Sequence, residues 1–303
     1  MVKSLLPAQL LSFQRDVQLA GQLVSKKEKV VDTDFNMDST EKLKAVRGFL
    51  LDMDGTFYLG DRLLEGALRF IELLRRQNKE FLFLTNNSSK QGREYAEKIS
   101  RLGLPITEAS VLTSGEATAL YLREQHPGAE IFLVGTPSLE DEFRQHGFRL
   151  EQAHPQFIVL GFDTTLTYQK LWALCDFVRS GIPYIATHPD FNCPTESGYM
   201  PDVGAMIAFV SAATGRQPDL VVGKPNRLIV EAAAIKMRLN VSQLAMIGDR
   251  LYTDIALGQT SGITTVLVLS GETSLEDLKG SSFHPDYTFE NLAGVADWLE
   301  RNC

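Results

Sequence analysis

Four groups of polar side chains in this sequence stand directly behind short apolar runs. The first, Asp52-Met53-Asp54-Gly55-Thr56, closes the run Gly48-Phe49-Leu50-Leu51. Two carboxylates two residues apart can face one pocket once the chain leaves a regular pleat, and Gly55 permits the turn. Asp52 then has the chemistry of a nucleophile that attacks phosphorus and forms an aspartyl-phosphate. Asp54 can protonate the departing oxygen and later take a proton from water. The competing reading is a pair of solvated turn aspartates, since Asp-Gly is a common turn dipeptide.

The second group, Thr85-Asn86-Asn87-Ser88-Ser89, follows Phe81-Leu82-Phe83-Leu84. Its short hydroxyl and amide side chains offer several donors to a phosphoryl group, although Ser88 or Ser89 can equally cap a helix. The third is Gly223-Lys224-Pro225-Asn226, behind Leu220-Val221-Val222. The Lys224 ammonium can neutralise phosphate and crowded carboxylates, with Pro225 opening the next helix; a surface lysine in a loop is the alternative. The fourth, Gly248-Asp249-Arg250-Leu251-Tyr252-Thr253-Asp254, follows Leu244–Ile247. Asp249 and Asp254, added to Asp52 and Asp54, make a cluster that is unfavourable without a cation. Hard oxygen ligands with few protein contacts suggest Mg²⁺. The plainer reading has Asp254 capping a helix and Asp249 in a turn.

The runs that carry these groups alternate with helical patterns. Ala67–Arg76 places Leu68, Ile71 and Leu74 on one stripe, and Glu94–Leu102 reads as a second helix. Val111-Leu112-Thr113 is another short strand. Strand and helix in alternation signal a parallel sheet with covered faces, and ligands of such sheets sit at the carboxyl ends of the strands. Residues 118–218 repeat the alternation: strands at Ile131–Val134, Phe157–Leu160 and Tyr184–Thr187, and a helix at Tyr168–Arg179. The first pattern then returns with Leu220-Val221-Val222, a helix at Leu228–Met237, and strands at Leu244–Ile247 and Val266–Val268. The expected organisation is an N-terminal extension and linker at 1–45, one α/β domain at 46–117 and 219–303, and an inserted α/β module at 118–218.

Over 303 residues, 44% are hydrophobic and 22% charged, an ordinary globular composition, with a net charge of −8. That charge and the lack of a long basic run argue against nucleic acid. No apolar run reaches spanning length, so no membrane partner is expected. Three cysteines without a CxxC pair argue against a disulfide framework or structural zinc and favour a reducing cytoplasm. Met1–Val24 lacks the compact apolar stretch of a signal peptide. Trp172 and Trp298 read as packing residues, and Cys175 as core.

In this order, Asp52-x-Asp54-Gly-Thr56, Thr85-Asn86-Asn87, Lys224 and Gly248-Asp249-x₄-Asp254 resemble the four motifs of haloacid dehalogenase (HAD) superfamily phosphatases. The resemblance is nearest to the subfamily of NagD and the p-nitrophenyl phosphatases. Gly223-Lys224-Pro225-Asn226, Thr253-Asp254-Ile255 and Leu269-Ser270-Gly271-Glu272-Thr273 share in it, and it covers residues 46–298. It implies a Rossmann-like core with a C2-type cap inserted between the second and third motifs, and a small phosphorylated metabolite as substrate. It also implies Mg²⁺ held by Asp52, Asp249 and the main-chain carbonyl of Asp54, with Asp254 supporting, and admits a homo-oligomer formed through the cap. A phosphotransferase or mutase on the same scaffold, or a non-catalytic binding protein, are the alternatives; retention of both Asp52 and Asp54 argues against the last. Two departures stand out. Glu65-Gly66-Ala67 replaces a usual Pro-Gly-Ala, and His188-Pro189-Asp190 replaces a common Asn-Pro-Asp. His188 and Asp190 are therefore expected, with Ser197–Gly204, on the cap surface that faces the substrate and sets specificity.

Overall fold

A computed structural model describes residues 39–195 and 198–303. The expected extension over residues 1–38, and Ser197 of the expected specificity surface, lie outside the described residues. The described residues belong to the compact unit Ser39–Cys303. Its strands, in chain order, are β1 Gly48–Leu51, β2 Tyr58–Leu59, β3 Arg62–Leu63, β4 Glu80–Thr85, β5 Val111–Thr113, β6 Glu130–Val134, β7 Arg149–Leu150 and β8 Phe157–Leu160. Then follow β9 Tyr184–Ala186, β10 Asn192–Thr195, β11 Gly198–Pro201, β12 Leu220–Val221, β13 Leu244–Gly248, β14 Thr264–Val268 and β15 Tyr287–Phe289.

Two parallel sheets organise them. The first has the order β15-β14-β13-β1-β4-β5 and the second the order β12-β9-β8-β6-β7; every pairing in both is parallel. This is the α/β architecture that alternating strands and helices imply. Period-two alternation sends neighbouring residues of each strand to opposite faces. In β1, Phe49 and Leu51 enter the core beneath the helices Ala67–Arg76 and Leu292–Asn302. Leu50 faces the other way, as do Leu82, Leu84, Leu112 and Met246. That second core also takes in Leu133, Val159 and Ile185 from the second sheet, so one continuous apolar mass joins both sheets. Among the described residues no helix is long and apolar enough to cross a membrane.

Several expected boundaries shift for physical reasons. Residues 39–45, expected as linker, form a helix because Leu43 is buried with Val46 in the first core. The helix Ser114–Gln125 runs unbroken across the expected boundary at 117/118. Leu220–Val221, expected to resume the first sheet, pairs instead with β9 of the second. A two-residue strand carries no sequence mark of its partner. Pro225 does not open a helix: Asn226 caps Arg227–Met237 with its side chain. Trp172, expected to pack, is 63% exposed, while Trp298 packs edge-on against Tyr287 and Cys175 is buried in the second sheet's outer core.

Candidate active site

Asp52 is the first residue beyond β1 and Asp249 the first beyond β13. From β1 the chain builds outward through β4 and β5, then returns to build β13, β14 and β15 on the other flank. The crevice between the ends of β1 and β13 is thus the point where strand order reverses, the usual ligand position in open α/β sheets.

Lys224 joins the carboxylates. Its Nζ donates to Asp52 Oδ1 at 2.5 Å, Asp254 Oδ1 at 2.7 Å and the Leu84 carbonyl at 3.3 Å, which uses all three ammonium protons. The side chain is only 3% exposed. Burial alone would lower the lysine's pKa, but Asp254 and Asp52 more than offset it and hold the ammonium above its ordinary value. Asp52 Oδ2 has no protein hydrogen bond among the described residues, and the Asp52 side chain keeps 14% exposure. Oxygens of Asp52, Asp249 and Asp254 lie within 4.8 Å of one another.

Asp249 is held more tightly. Thr56 Oγ1 donates to its Oδ1 at 3.2 Å and Glu272 N–H to its Oδ2 at 2.7 Å. The backbone closes around it from two sides. A Cβ on Gly55, which has φ 89°, would stand 2.4 Å from Asp249 Oδ2, and one on Gly271 would stand 2.0 Å away. Only glycine fits at either position. Burial, then Asp52 and Asp254, raises the Asp249 pKa. Burial raises that of Asp254, with Lys224 opposing. Burial is the larger cause of both shifts, and the neighbouring Asp52 adds to each; a divalent cation at this cluster would favour the charged forms. Asp254 differs from Asp249 in its partner: one of its oxygens is paired with the buried Lys224 ammonium and the other accepts from Arg250 N–H.

Asp54 is open to solvent on one side. Surrounding protein still displaces water from its carboxyl and raises the pKa; Lys98 opposes this and Asp52 adds to it. The turn beneath is tight: the Met53 carbonyl accepts from the N–H groups of Thr56, Phe57 and Tyr58.

The loop behind β4 is wound on itself. Asn87 N–H donates to Thr85 Oγ1 at 3.1 Å, and Ser89 donates through N–H and Oγ to Asn87 Oδ1 at 2.9 and 2.7 Å. Neither serine caps the next helix. Gln91 does so, in a capping box with Glu94. Asn86 Nδ2 donates to the Lys224 carbonyl at 2.9 Å and to Asp190 Oδ1 at 3.1 Å. Asp52, Asp54, Thr85, Asn86, Lys224, Asp249 and Asp254 therefore meet at one end of the first sheet, with Asp190 and Cys193 of the second module against them; Asn87 Nδ2 stands 3.6 Å from Cys193 Sγ. His188 departs from expectation. Its side chain is wholly buried and both ring nitrogens are engaged within the protein, so it presents no surface to a substrate.

Thr56, Arg250 and the backbone of residues 270–273 also belong to the site, although their residue types alone mark no role. Arg250 is mostly buried, pairs with Glu272 at 3.0 Å and lies in the field of Asp52 and Asp249. The signals were present in the runs Gly248-Asp249-Arg250 and Ser270-Gly271-Glu272, but contact between the two is a tertiary fact.

Residues 49–149 match the haloacid dehalogenase-like hydrolase family and residues 221–295 the HAD-hydrolase-like family. An acid sugar phosphatase of Staphylococcus saprophyticus subsp. saprophyticus is 36% identical over 260 residues, which cover 86% of this chain and all of that protein. The crystal structure of a 4-nitrophenylphosphatase from Thermotoga maritima superposes with a TM-score of 0.83 at 45% identity, covering 87% of this chain and 100% of the other. A glycerol phosphate phosphatase from Mycobacterium tuberculosis, solved with calcium, does so with a TM-score of 0.78 at 30% identity, covering 84% and 76%. The chain belongs to the HAD-like hydrolases, in the branch of NagD and the p-nitrophenyl phosphatases, and is an enzyme of the phosphatase class.

Proposed function

We propose that this enzyme is a Mg²⁺-dependent phosphatase of small, hydroxylated phosphate monoesters that works through an aspartyl-phosphate on Asp52. The observation that carries the reading is the division of labour at Asp52. One oxygen is held by a buried ammonium while the other has no protein hydrogen bond among the described residues, and the side chain keeps 14% exposure. A carboxylate so fixed has a lone pair free for attack and a cation beside it to balance the charge of the phosphoryl oxygens.

In this reading Asp52 Oδ2 bonds to phosphorus as the ester P–O bond breaks, and the leaving oxygen takes the proton of Asp54. The raised pKa of Asp54 suits it to carry that proton. Asp54, now a carboxylate, accepts a proton from water as the water oxygen attacks phosphorus. Cleavage of the bond from phosphorus to Asp52 releases inorganic phosphate and restores the carboxylate. Thr85, Asn86 and Asn87 surround the phosphoryl oxygens, and the Lys224 ammonium, whose three protons already have protein acceptors, balances their charge. The cluster of hard carboxylate oxygens fits a divalent cation; Asp52, Asp249 and the Asp54 carbonyl would hold Mg²⁺, and Asp254 supports it through Lys224. Bound there, the cation would neutralise charge on the phosphoryl group.

The names of relatives that act on sugar phosphates, nitrophenyl phosphate and glycerol phosphate support a small, hydroxylated substrate. The inserted module, about 118–221 once β12 is counted with it, acts as a cap over the site, with Asp190 and Cys193 against Asn86 and Asn87. Three free cysteines suit a reducing cytoplasm. Chelation should abolish hydrolysis of p-nitrophenyl phosphate and added Mg²⁺ should restore it, while Asp52→Asn should remove nearly all turnover with the fold intact. Full activity in metal-free enzyme, or near wild-type rate in Asp52→Asn, would overturn the assignment.

A further inference from the structure

The β4 loop is fastened from the second sheet by a chain of hydrogen bonds centred on His188. The His188 Nε2 stands 2.9 Å from Asp202 Oδ1, an oxygen that also accepts from Val203 N–H at the start of the helix Val203–Thr214. A carboxylate only accepts, so Nε2 carries the proton. Nδ1 lies 2.9 Å from Thr187 Oγ1, and Thr187 Oγ1 lies 3.0 Å from Ser88 Oγ. Ser88 Oγ already accepts Phe162 N–H at 2.9 Å. The polarity that gives each hydroxyl proton an acceptor runs one way. Phe162 N–H donates to Ser88, Ser88 to Thr187, Thr187 to His188 and His188 to Asp202.

Asn86 is held beside this chain and not by it: Ser114 Oγ gives its one proton to the Asn86 carbonyl and only packs against Nδ1, 3.3 Å away. Packing holds the same three partners together. A Cβ on Gly223 would stand 2.6 Å from Asn86 Oδ1, 2.7 Å from the Thr187 carbonyl oxygen and 2.8 Å from His188 Cβ. All of these groups are buried, where a lost hydrogen bond leaves its partner unsatisfied.

We infer that His188 is a positioning residue for phosphate. It does not meet the substrate; through Thr187 and Ser88, and beside Ser114, it sets the orientation of residues 86–88 from the second sheet. The inference rests on the reading of the β4 loop as the phosphate cradle. Two pairs of variants test it. Thr187→Val keeps the shape and removes the relay hydroxyl, whereas Thr187→Ser keeps the hydroxyl. His188→Gln keeps a donor near Asp202 and loses the Nδ1 acceptor, whereas His188→Asn keeps an acceptor near Thr187 and loses the donor. The readouts are inorganic phosphate affinity by calorimetry in the presence of Mg²⁺, KM and kcat for p-nitrophenyl phosphate, and melting temperature. Thr187→Val and His188→Gln should each weaken phosphate binding about tenfold, as loss of one buried hydrogen bond implies, with KM rising more than kcat falls. Thr187→Ser should restore affinity, and His188→Asn should be less impaired than His188→Gln. If His188→Gln does not fold, the threonine pair decides. Unchanged phosphate affinity in Thr187→Val, with only the melting temperature lowered, would overturn the inference. Wild-type enzyme that binds phosphate but hydrolyses no ester would defeat the phosphatase reading and leave the affinity comparison intact.

Discussion

At the scale of single residues, the site separates charges by what each touches. Among the described residues Asp54 forms no ion pair, only the longer-range attraction of Lys98, and it carries a raised pKa, while Asp52 and Asp254 share Lys224. Asp54→Asn should therefore depend on the leaving group. Turnover of an alkyl phosphate, whose alkoxide needs a proton, should fall about 10²- to 10⁴-fold. Turnover of p-nitrophenyl phosphate should fall much less, since its phenolate departs unaided; kcat measured for both esters in one preparation checks this. Lys224→Ala should lower kcat/KM on the order of 10²-fold or more. It should also lower the melting temperature, because Asp52 and Asp254 are left facing each other without their shared cation. An effect within a factor of two would place Lys224 outside the site.

At the scale of elements, the helix Pro137–Gln145 of the second module packs on Ser114–Gln125, and a carboxyl is trapped at the contact. Glu142 is 6% exposed, and its Oε2 has no hydrogen bond among the described residues. Glu116 of the neighbouring helix is itself paired to Lys236 at 2.7 Å. Burial, and then Glu116, push the Glu142 pKa up to about 8 from the ordinary 4.5. The folded protein therefore binds this proton more tightly than the unfolded chain does. Between pH 4.5 and 8 the native state holds the extra proton, so stability falls as pH rises through that window and levels off above it. Glu142→Gln keeps the shape without the charge. Denaturant titrations at several pH values should show a flatter pH dependence for the variant, and a gain over wild type at pH 8 on the order of a few kcal/mol. Parallel pH profiles for the two proteins would show that Glu142 is ionised at little cost.

At the scale of the whole unit 39–303, the two sheets share one apolar core even though their sequence segments interleave. Leu84 and Leu112 of the first sheet cluster with Leu133 and Ile185 of the second. Leu133→Ala should cost about 2–5 kcal/mol. The loss should be felt equally in both sheets: hydrogen exchange at Leu82 and Leu84 should speed up by the same factor as at Val159 and Leu160. Exchange that quickens only in the second sheet would mean that the modules unfold independently. The same shared core limits how a cap can move. Polar contacts such as Asn86 to Asp190 are the ones opening can break, since separating the apolar face would expose many buried side chains at once.

Local apolar runs were enough to mark β1, β5 and β8, and the helices Ala67–Arg76 and Tyr168–Arg179, because their periodicity resides in consecutive residues. The carboxylates and Lys224 were legible too, since each follows such a run. Other features had no local signature. The helix Ser114–Gln125 is built of small and mixed residues and owes its place to packing between both sheets. The hairpin β10–β11 contains Pro194 and has almost no buried face. Which sheet takes β12, why Trp172 is exposed, and why Glu142 and His188 are buried all depend on neighbours distant in sequence. The Lys224 ammonium acquires its character from carboxylates 172 and 30 residues away. A sequence by itself shows which residues can do chemistry. The distances that set their charge and reach arise only when the chain ends of separate strands meet at one edge of the folded sheet.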